Sequence, residues 1–220
     1  MPAHLEIAIK NLLKLLNALS AKVEESVRRS FQSLEENDAE LARKVIKDDE
    51  IIDQQEIDIE EECLKILALH QPVAIDLRYL VAALKINNDL ERIGDLASNI
   101  SRHSLDILSD PLLKKPVDFQ DMCRLTQSML KNSLDSLVNL DINAAYEILK
   151  KDDEVDRMNK NLSAEIVEAI KKNPAKADVL VLFIYIARHL ERLADHTTNI
   201  AEDIIYLITG EIMRHGNLFK

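Results

Sequence analysis

The sequence predicts an all-α protein built as two tandem three-helix bundles, the second an internal repeat of the first. Three observations predict it. Glycine occurs 3 times in 220 residues, proline 5 times and tryptophan never, and aromatics make up 4%; sheets need more β-branched and aromatic residues and more glycine-bearing turns. Apolar residues recur at steps of three and four, as on one face of a helix. Finally, Leu90-Glu91-Arg92-Ile93-Gly94-Asp95, followed by Asn99-Ile100, returns as Leu190-Glu191-Arg192-Leu193-Ala194-Asp195 with Asn199-Ile200. The shared pattern is gapless, and each copy carries Glu-x-x-x-Asp on a helix.

The first helix is expected from about His4 to Glu35, with Leu5, Ile9, Leu12, Leu16 and Leu19 on one face. Asn37-Asp38 stops it and caps the second, which runs to about Leu69. His70-Gln71-Pro72 ends that helix, and the third runs from Pro72 to about Leu108, proline being accepted in a first turn. Asp110-Pro111 to Pro116-Val117 is the only stretch with two close prolines and is read as the boundary. A fourth helix then starts at an Asp118 cap and runs to about Leu140, and a fifth runs from near Asp141 to about Lys172. Asn173-Pro174 matches the earlier proline turn. The sixth helix reaches Thr209, where Gly210 serves as a cap. The expected units are 1–110 and 117–210, joined by 111–116 and followed by a tail, 211–220. Short turns between long helices make neighbours antiparallel.

The net charge of −11 argues against nucleic acid and against a surface resting on anionic lipid. Cys63 and Cys123 lack metal or redox spacing and read as small core residues in a reducing compartment. Met1 to Lys10 lacks a basic region followed by an apolar run, so no signal peptide is expected. The longest apolar run, Val179 to Ala187, is too short for the roughly 20 residues of a membrane-spanning helix.

The core stripe turns acidic partway along the helices. On the second helix it reads Ala42, Val45, Asp49, Asp53, Glu56, Glu60, Cys63; on the third, Leu84, Asn88, Glu91, Asp95, Asn99. The second copy repeats this with Asp152, Asp156, Asn159 and Ser163 on the fifth helix, and Glu191 and Asp195 on the sixth. Each pair of acids is four residues apart, on one helix face. Asp49 and Asp53 centre on position 51 and Glu91 and Asp95 on 93, and midway between lies Pro72. The second copy's midpoint falls at Asn173-Pro174. Folding each hairpin at its proline therefore sets Asp-x-x-x-Asp opposite Glu-x-x-x-Asp.

Like charges about 4 Å apart repel by on the order of 4 kcal/mol near a surface. Protonation would offset this, as would Arg92 and Arg192, but a bound cation would do so best. All-oxygen ligation suits magnesium, calcium or manganese, and iron or zinc when several carboxylates bridge. The Glu-x-x-His pairing of di-iron enzymes is missing, which weakens an oxygen-activating role. No Ser-His-Asp order, phosphate-cradling glycine loop or CxxC is present. His103, His189 and His196 lie near the acids, and His196 faces elsewhere on its helix, as a surface or interface residue. Asp76-Leu77-Arg78 suggests a first-turn cap with a salt bridge.

At these residues the chain resembles the PhoU family of phosphate-transport regulators. The resemblance is carried by Pro72-Val73-Ala74-Ile75-Asp76-Leu77-Arg78, by Leu84-Lys85-Ile86 with Leu90 to Asp95, and by Leu190 to Asp195 running on through Thr198-Asn199-Ile200-Ala201-Glu202-Asp203 to Gly210. It implies the two-bundle fold argued above. It also implies iron or zinc clusters held by Asp49, Asp53, Glu91, Asp95, Asp152, Asp156, Glu191 and Asp195, with Glu56 and Glu60 as extra acids. It implies a cytoplasmic, non-enzymatic negative regulator of the phosphate regulon. Its partners would be the ATPase of the phosphate ABC transporter, a phosphate-sensing histidine kinase and a second copy of itself. Three departures bear on the second copy: Asn159 for Glu56, Ala194 for Gly94, and Lys176 and Asp178 for Asp76 and Arg78. The competing readings are a carboxylate metalloenzyme of phosphohydrolase type and a structural bundle with solvated acids.

Overall fold

The computed structural model describes residues 3–109 and 115–212. Seven α-helices and one 3₁₀ turn make up its regular structure: α1 (Ala3–Glu36), α2 (Ala39–His70), α3 (Ala74–Leu108), α4 (Gln120–Asn139), α5 (Ile142–Leu149), α6 (Asp152–Lys172), the turn Pro174–Lys176, and α7 (Ala177–Thr209). No strand occurs among the described residues. One bundle is α1–α3; the other is α4, α5–α6 and α7. Of the expected linker and tail, residues 111–114 and 213–220 lie outside the described residues.

The first turn of each bundle is built the same way. Asn37 and Leu140 take left-handed φ values of 58° and 51°. The next residue, Asp38 or Asp141, donates its backbone N–H five residues back, to Ser33 O at 3.0 Å or Ser136 O at 3.1 Å. This is the bond that closes helix C-termini onto a left-handed residue. The same aspartate then caps the next helix: Asp38 accepts from Glu40 N and Leu41 N, Asp141 from Asn143 N and Ala144 N. Gly210, at φ 78°, ends α7, and the Arg78 guanidinium fills the space a side chain there would need. Arg78 is thus packed on a helix end, where its charge suits the C-terminal dipole. Asp76 is an acid of the first turn of α3 and not its cap, which is Val73.

The expected fifth helix is interrupted. Lys150 and Lys151 keep right-handed backbone angles, but Lys151 N bonds Ile148 O at 3.0 Å and Glu154 N bonds Lys151 O at 3.1 Å. These three-residue bonds tighten the chain into a 3₁₀ step between α5 and α6. In the first copy the matching stretch of α2 stays helical, and there Asp48 is bound to Arg29 of α1 at 3.5 Å. Asn132 and Lys151 occupy those places in the second copy, so that tie is absent.

The two bundles share one apolar core, with α3 and α7 packed antiparallel at its centre. Leu90, Ile93 and Ile100 are fully buried, as are their repeats Leu190, Leu193 and Ile200. Phe183 packs parallel to Phe119 across the second bundle, ring centres 6.3 Å apart.

At Gly94, α3 packs tightly against α2. A Cβ there would meet Ile52 Cγ2 at 3.0 Å and Cδ1 at 3.1 Å. The second copy resolves the same contact differently: Val155 stands where Ile52 does, and Ala194 where Gly94 does, both fully buried. One methyl group has moved across the interface. Overpacking a core costs about 1–3 kcal/mol, against about 1 kcal/mol gained by replacing a helical glycine with alanine. Gly94→Ala should therefore lower stability by about 1 kcal/mol net, and Ile52→Val in the same chain should restore it. Thermal melts of the two single variants and the double variant measure this; purely additive effects would refute the paired packing.

Candidate metal centre

The α2–α3 hairpin sets Asp49, Asp53 and Asp95 so that one carboxylate oxygen from each lies within 4.8 Å of the others. Asp49 is 9% exposed, and its Oδ1 is shut from solvent without a hydrogen-bond partner. That oxygen would stand 3.6 Å from a Cβ on Gly94, an ordinary packing distance, so it lies against the α3 backbone. Glu91 Oε2 is also buried without a hydrogen bond; Arg92 Nε is 3.3 Å away in ion-pair contact, and Arg92 Nη1 donates to Asp95 Oδ2 at 3.3 Å. Glu56 sits beside the group, its Oε1 accepting from Asn87 Nδ2 at 3.1 Å. Glu60 is exposed and adds its charge to that of Glu56.

Crowding and burial leave the Asp49, Asp53, Glu56 and Glu91 carboxyls holding protons above their ordinary range. Asp49 is raised first by burial, then by Asp53 and Asp95, against the opposing Ser98 hydroxyl and Arg102. Burial likewise leads for Asp53, followed by Asp95, and for Glu91, followed by Asp95, with Arg92 opposing. Glu56 is raised by burial and by Glu60.

In the second copy, Asp152 lies in the first turn of α6, just after the 3₁₀ step. Burial, then Asp195, Asp156 and Asp153, push it up to about 6. Glu191 is raised by burial and by Asp156. Asp195 lies at the surface, yet its carboxyl is raised by partial desolvation, Glu191 and Asp156, with His196 and Arg192 opposing. All four expected acids therefore share one neighbourhood. Among the described residues, however, only Asp49, Asp53 and Asp95 converge tightly enough for one ion to touch three side chains.

Chemically, the arrangement is an all-oxygen donor set on rigid helices, with two buried oxygens lacking hydrogen bonds. Left unsatisfied, such an atom costs about 1–3 kcal/mol; Arg92 offsets part of this for Glu91 Oε2, while Asp49 Oδ1 has no such counter-charge in contact. The residues present fit a hard or borderline cation, which would satisfy those oxygens and neutralise the repulsion.

The polar contacts that join the two halves are less visible in sequence. Lys85 pairs with Asp203; Asp89 accepts from His196 Nδ1 at 2.8 Å and from Asn199 Nδ2 at 3.3 Å. His103 stacks between His189 and Tyr185, centroids 5.3 and 5.5 Å away. His196 is thus an interface residue, as its helical position suggests. The available signal was the places where the repeat breaks: Asp89 against His189, and Leu96 against His196.

A family model described as the PhoU domain matches residues 16–103 and again 119–204. A Thermotoga maritima protein named phosphate-specific transport system accessory protein PhoU homolog 1 is 35% identical over 213 residues, 96% of this chain and 91% of that protein. The Pseudomonas aeruginosa homolog is 35% identical over 219 residues, 99% of this chain and 89% of its own length. Among solved structures, the crystal structure of PhoU from Pseudomonas aeruginosa superposes with a TM-score of 0.90 at 33% identity, covering 94% of this chain and 99% of that one. The phosphate transport system regulatory protein PhoU from Streptococcus pneumoniae gives 0.87 at 30%, covering 96% and 100%.

The crowded acids set a pH dependence for the metal-free protein. Asp152 holds its proton more tightly folded, at about 6, than at the ordinary aspartate value of 3.8. Its favourable contribution is full below 3.8 and is lost as pH rises through about 6. In chelator-treated protein, Asp152→Asn should raise the melting temperature at pH 8 and give no advantage at pH 4. Equal gains at both pH values would contradict the crowding.

Proposed function

The chain belongs to the PhoU family, and from that premise we propose that it regulates phosphate uptake through a phosphate-specific transport system and restrains phosphate-starvation signalling. It does so as a non-enzymatic adaptor. Its partners are the ATPase of the phosphate ABC transporter and a phosphate-sensing histidine kinase, both reached in the cytoplasm, and it works as a homodimer. The relatives' names, as accessory and regulatory proteins of phosphate transport, support the role. None of the described helices is long and apolar enough to cross a membrane. Exposed apolar side chains on α2, among them Ile57, Leu64 and Leu69, offer surface to a protein partner.

One observation carries the metal part of the reading: Asp49 Oδ1, buried and unpartnered, beside Asp53 and Asp95. In this proposal Asp49, Asp53, Glu91 and Asp95 hold iron or zinc in the first bundle, with Glu56 beside them. Asp152, Asp156, Glu191 and Asp195 do so in the second. Manganese, magnesium and calcium suit the same oxygens. When bound, the cation supplies positive charge that cancels carboxylate repulsion and ties α2 to α3 and α6 to α7. This chain's own residues supply rigid presentation: long helices hold the acids, and Arg92 keeps Glu91 and Asp95 from full repulsion until the cation arrives.

Two measurements test the reading. Elemental analysis should find iron or zinc in the purified parent and little in the folded variant carrying Glu91→Gln, Asp95→Asn, Glu191→Gln and Asp195→Asn. A parent that takes up none, even when offered iron, zinc or manganese, would remove the metal from the proposal. Deleting the gene in its host should raise phosphate uptake and switch on phosphate-starvation genes under phosphate-replete growth. Unchanged uptake and expression would remove the regulatory role.

A further inference from the structure

The repeat makes two acidic sites, but the structure does not make them equal. We infer that the first-bundle site is a tight, resident cation site, and that the second-bundle site binds the same cation more weakly and exchanges it. The inference rests on the metal reading above and adds an order of loading.

Four differences separate the sites. First, Asp49, Asp53 and Asp95 already offer three oxygens within 4.8 Å, whereas Asp152, Asp156 and Asp195 form no such group. Preorganised ligands bind tightly because little ordering remains to be done. Second, Asp49 Oδ1 is buried and unpartnered, so ligation relieves a standing cost. Among the described residues, the Asp152 side chain has no such buried, unsatisfied oxygen. Third, the acids differ in number. Glu56 flanks the first site, while Asn159, its counterpart, brings no charge and accepts from Ser163 Oγ at 3.4 Å. Fourth, the supporting backbone differs. Asp49 lies mid-helix, next to Asp48, which Arg29 ties to α1. Asp152 begins a helix after the 3₁₀ step, and its N-cap, Lys151, makes no side-chain capping bond.

The test is a zinc titration of chelator-stripped protein, followed by calorimetry and by elemental analysis after passage over a chelating resin. The parent should show two phases differing on the order of tenfold or more in affinity, the scale at which supporting contacts tune metal sites. The tight phase should survive the resin. Asp49→Asn should abolish the tight phase and keep the weak one; Asp152→Asn should do the reverse. Asp53→Asn repeats the first arm should Asp49→Asn fail to fold. Two sites of equal affinity, or loss of the tight phase in Asp152→Asn, would overturn the order of loading while leaving the metal reading intact. No zinc, iron or manganese uptake by the parent would overturn both.

Discussion

Carboxylates that face one another across a helical hairpin are the constraint on which the rest of this structure depends. An ordinary bundle would place apolar residues where Asp49, Glu91 and Asp95 turn inward between α2 and α3. Here the apolar stripes above and below the acids must hold the hairpin shut against that repulsion. This accounts for the full burial of Ile52, Ile59, Leu90 and Ile93 on the same two helices. It is matched by the glycine at position 94, where the missing side chain lets Ile52 approach α3 so closely. Helix packing and site chemistry are therefore one problem in this protein, and a change to either alters both.

The second constraint is the contact between α3 and α7, which turns two small bundles into one core. A bundle of about 100 residues buries a limited share of its surface, and pooling the cores makes each half support the other. The contact keeps the symmetry of the repeat in outline and breaks it in chemistry. Lys85 pairs with Asp203 on one side; at the symmetry-related positions, Tyr185 stacks on His103. An ion pair and an aromatic stack thus do the same positional job. Burial lowers both His103 and His189, the latter to about 4, so the stacked rings are uncharged at neutral pH. The interface thus stays free of like-charge repulsion at neutral pH.

Much of this was legible in the amino-acid sequence, because the relevant signals are local and periodic. Asp38 and Asp141 cap helices wherever such helices start, since a short acid side chain satisfies free N–H groups of the first turn. Spacing about Pro72 and Asn173-Pro174 paired the acids across each hairpin, since antiparallel helices of equal rise keep register from their turn. The interruption at Lys150–Lys151 was not legible. Neither residue is a helix breaker, and their backbone angles remain nearly helical. Nor was the left-handed Leu140, which sits where most helices would place glycine or asparagine.

The sequence by itself determined the helices, their turns, the repeat and the opposition of carboxylates, all consequences of residue type and spacing along one chain. Only the tertiary structure decided which oxygens are buried and unpartnered, that three acids of the first copy converge, and how α3 is bound to α7. Those outcomes depend on distances of a few tenths of an ångström between helices, such as Ile52 against Gly94, and on side chains more than a hundred positions apart. Periodicity places a residue on a face; only packing determines how closely that face is approached and what it meets there.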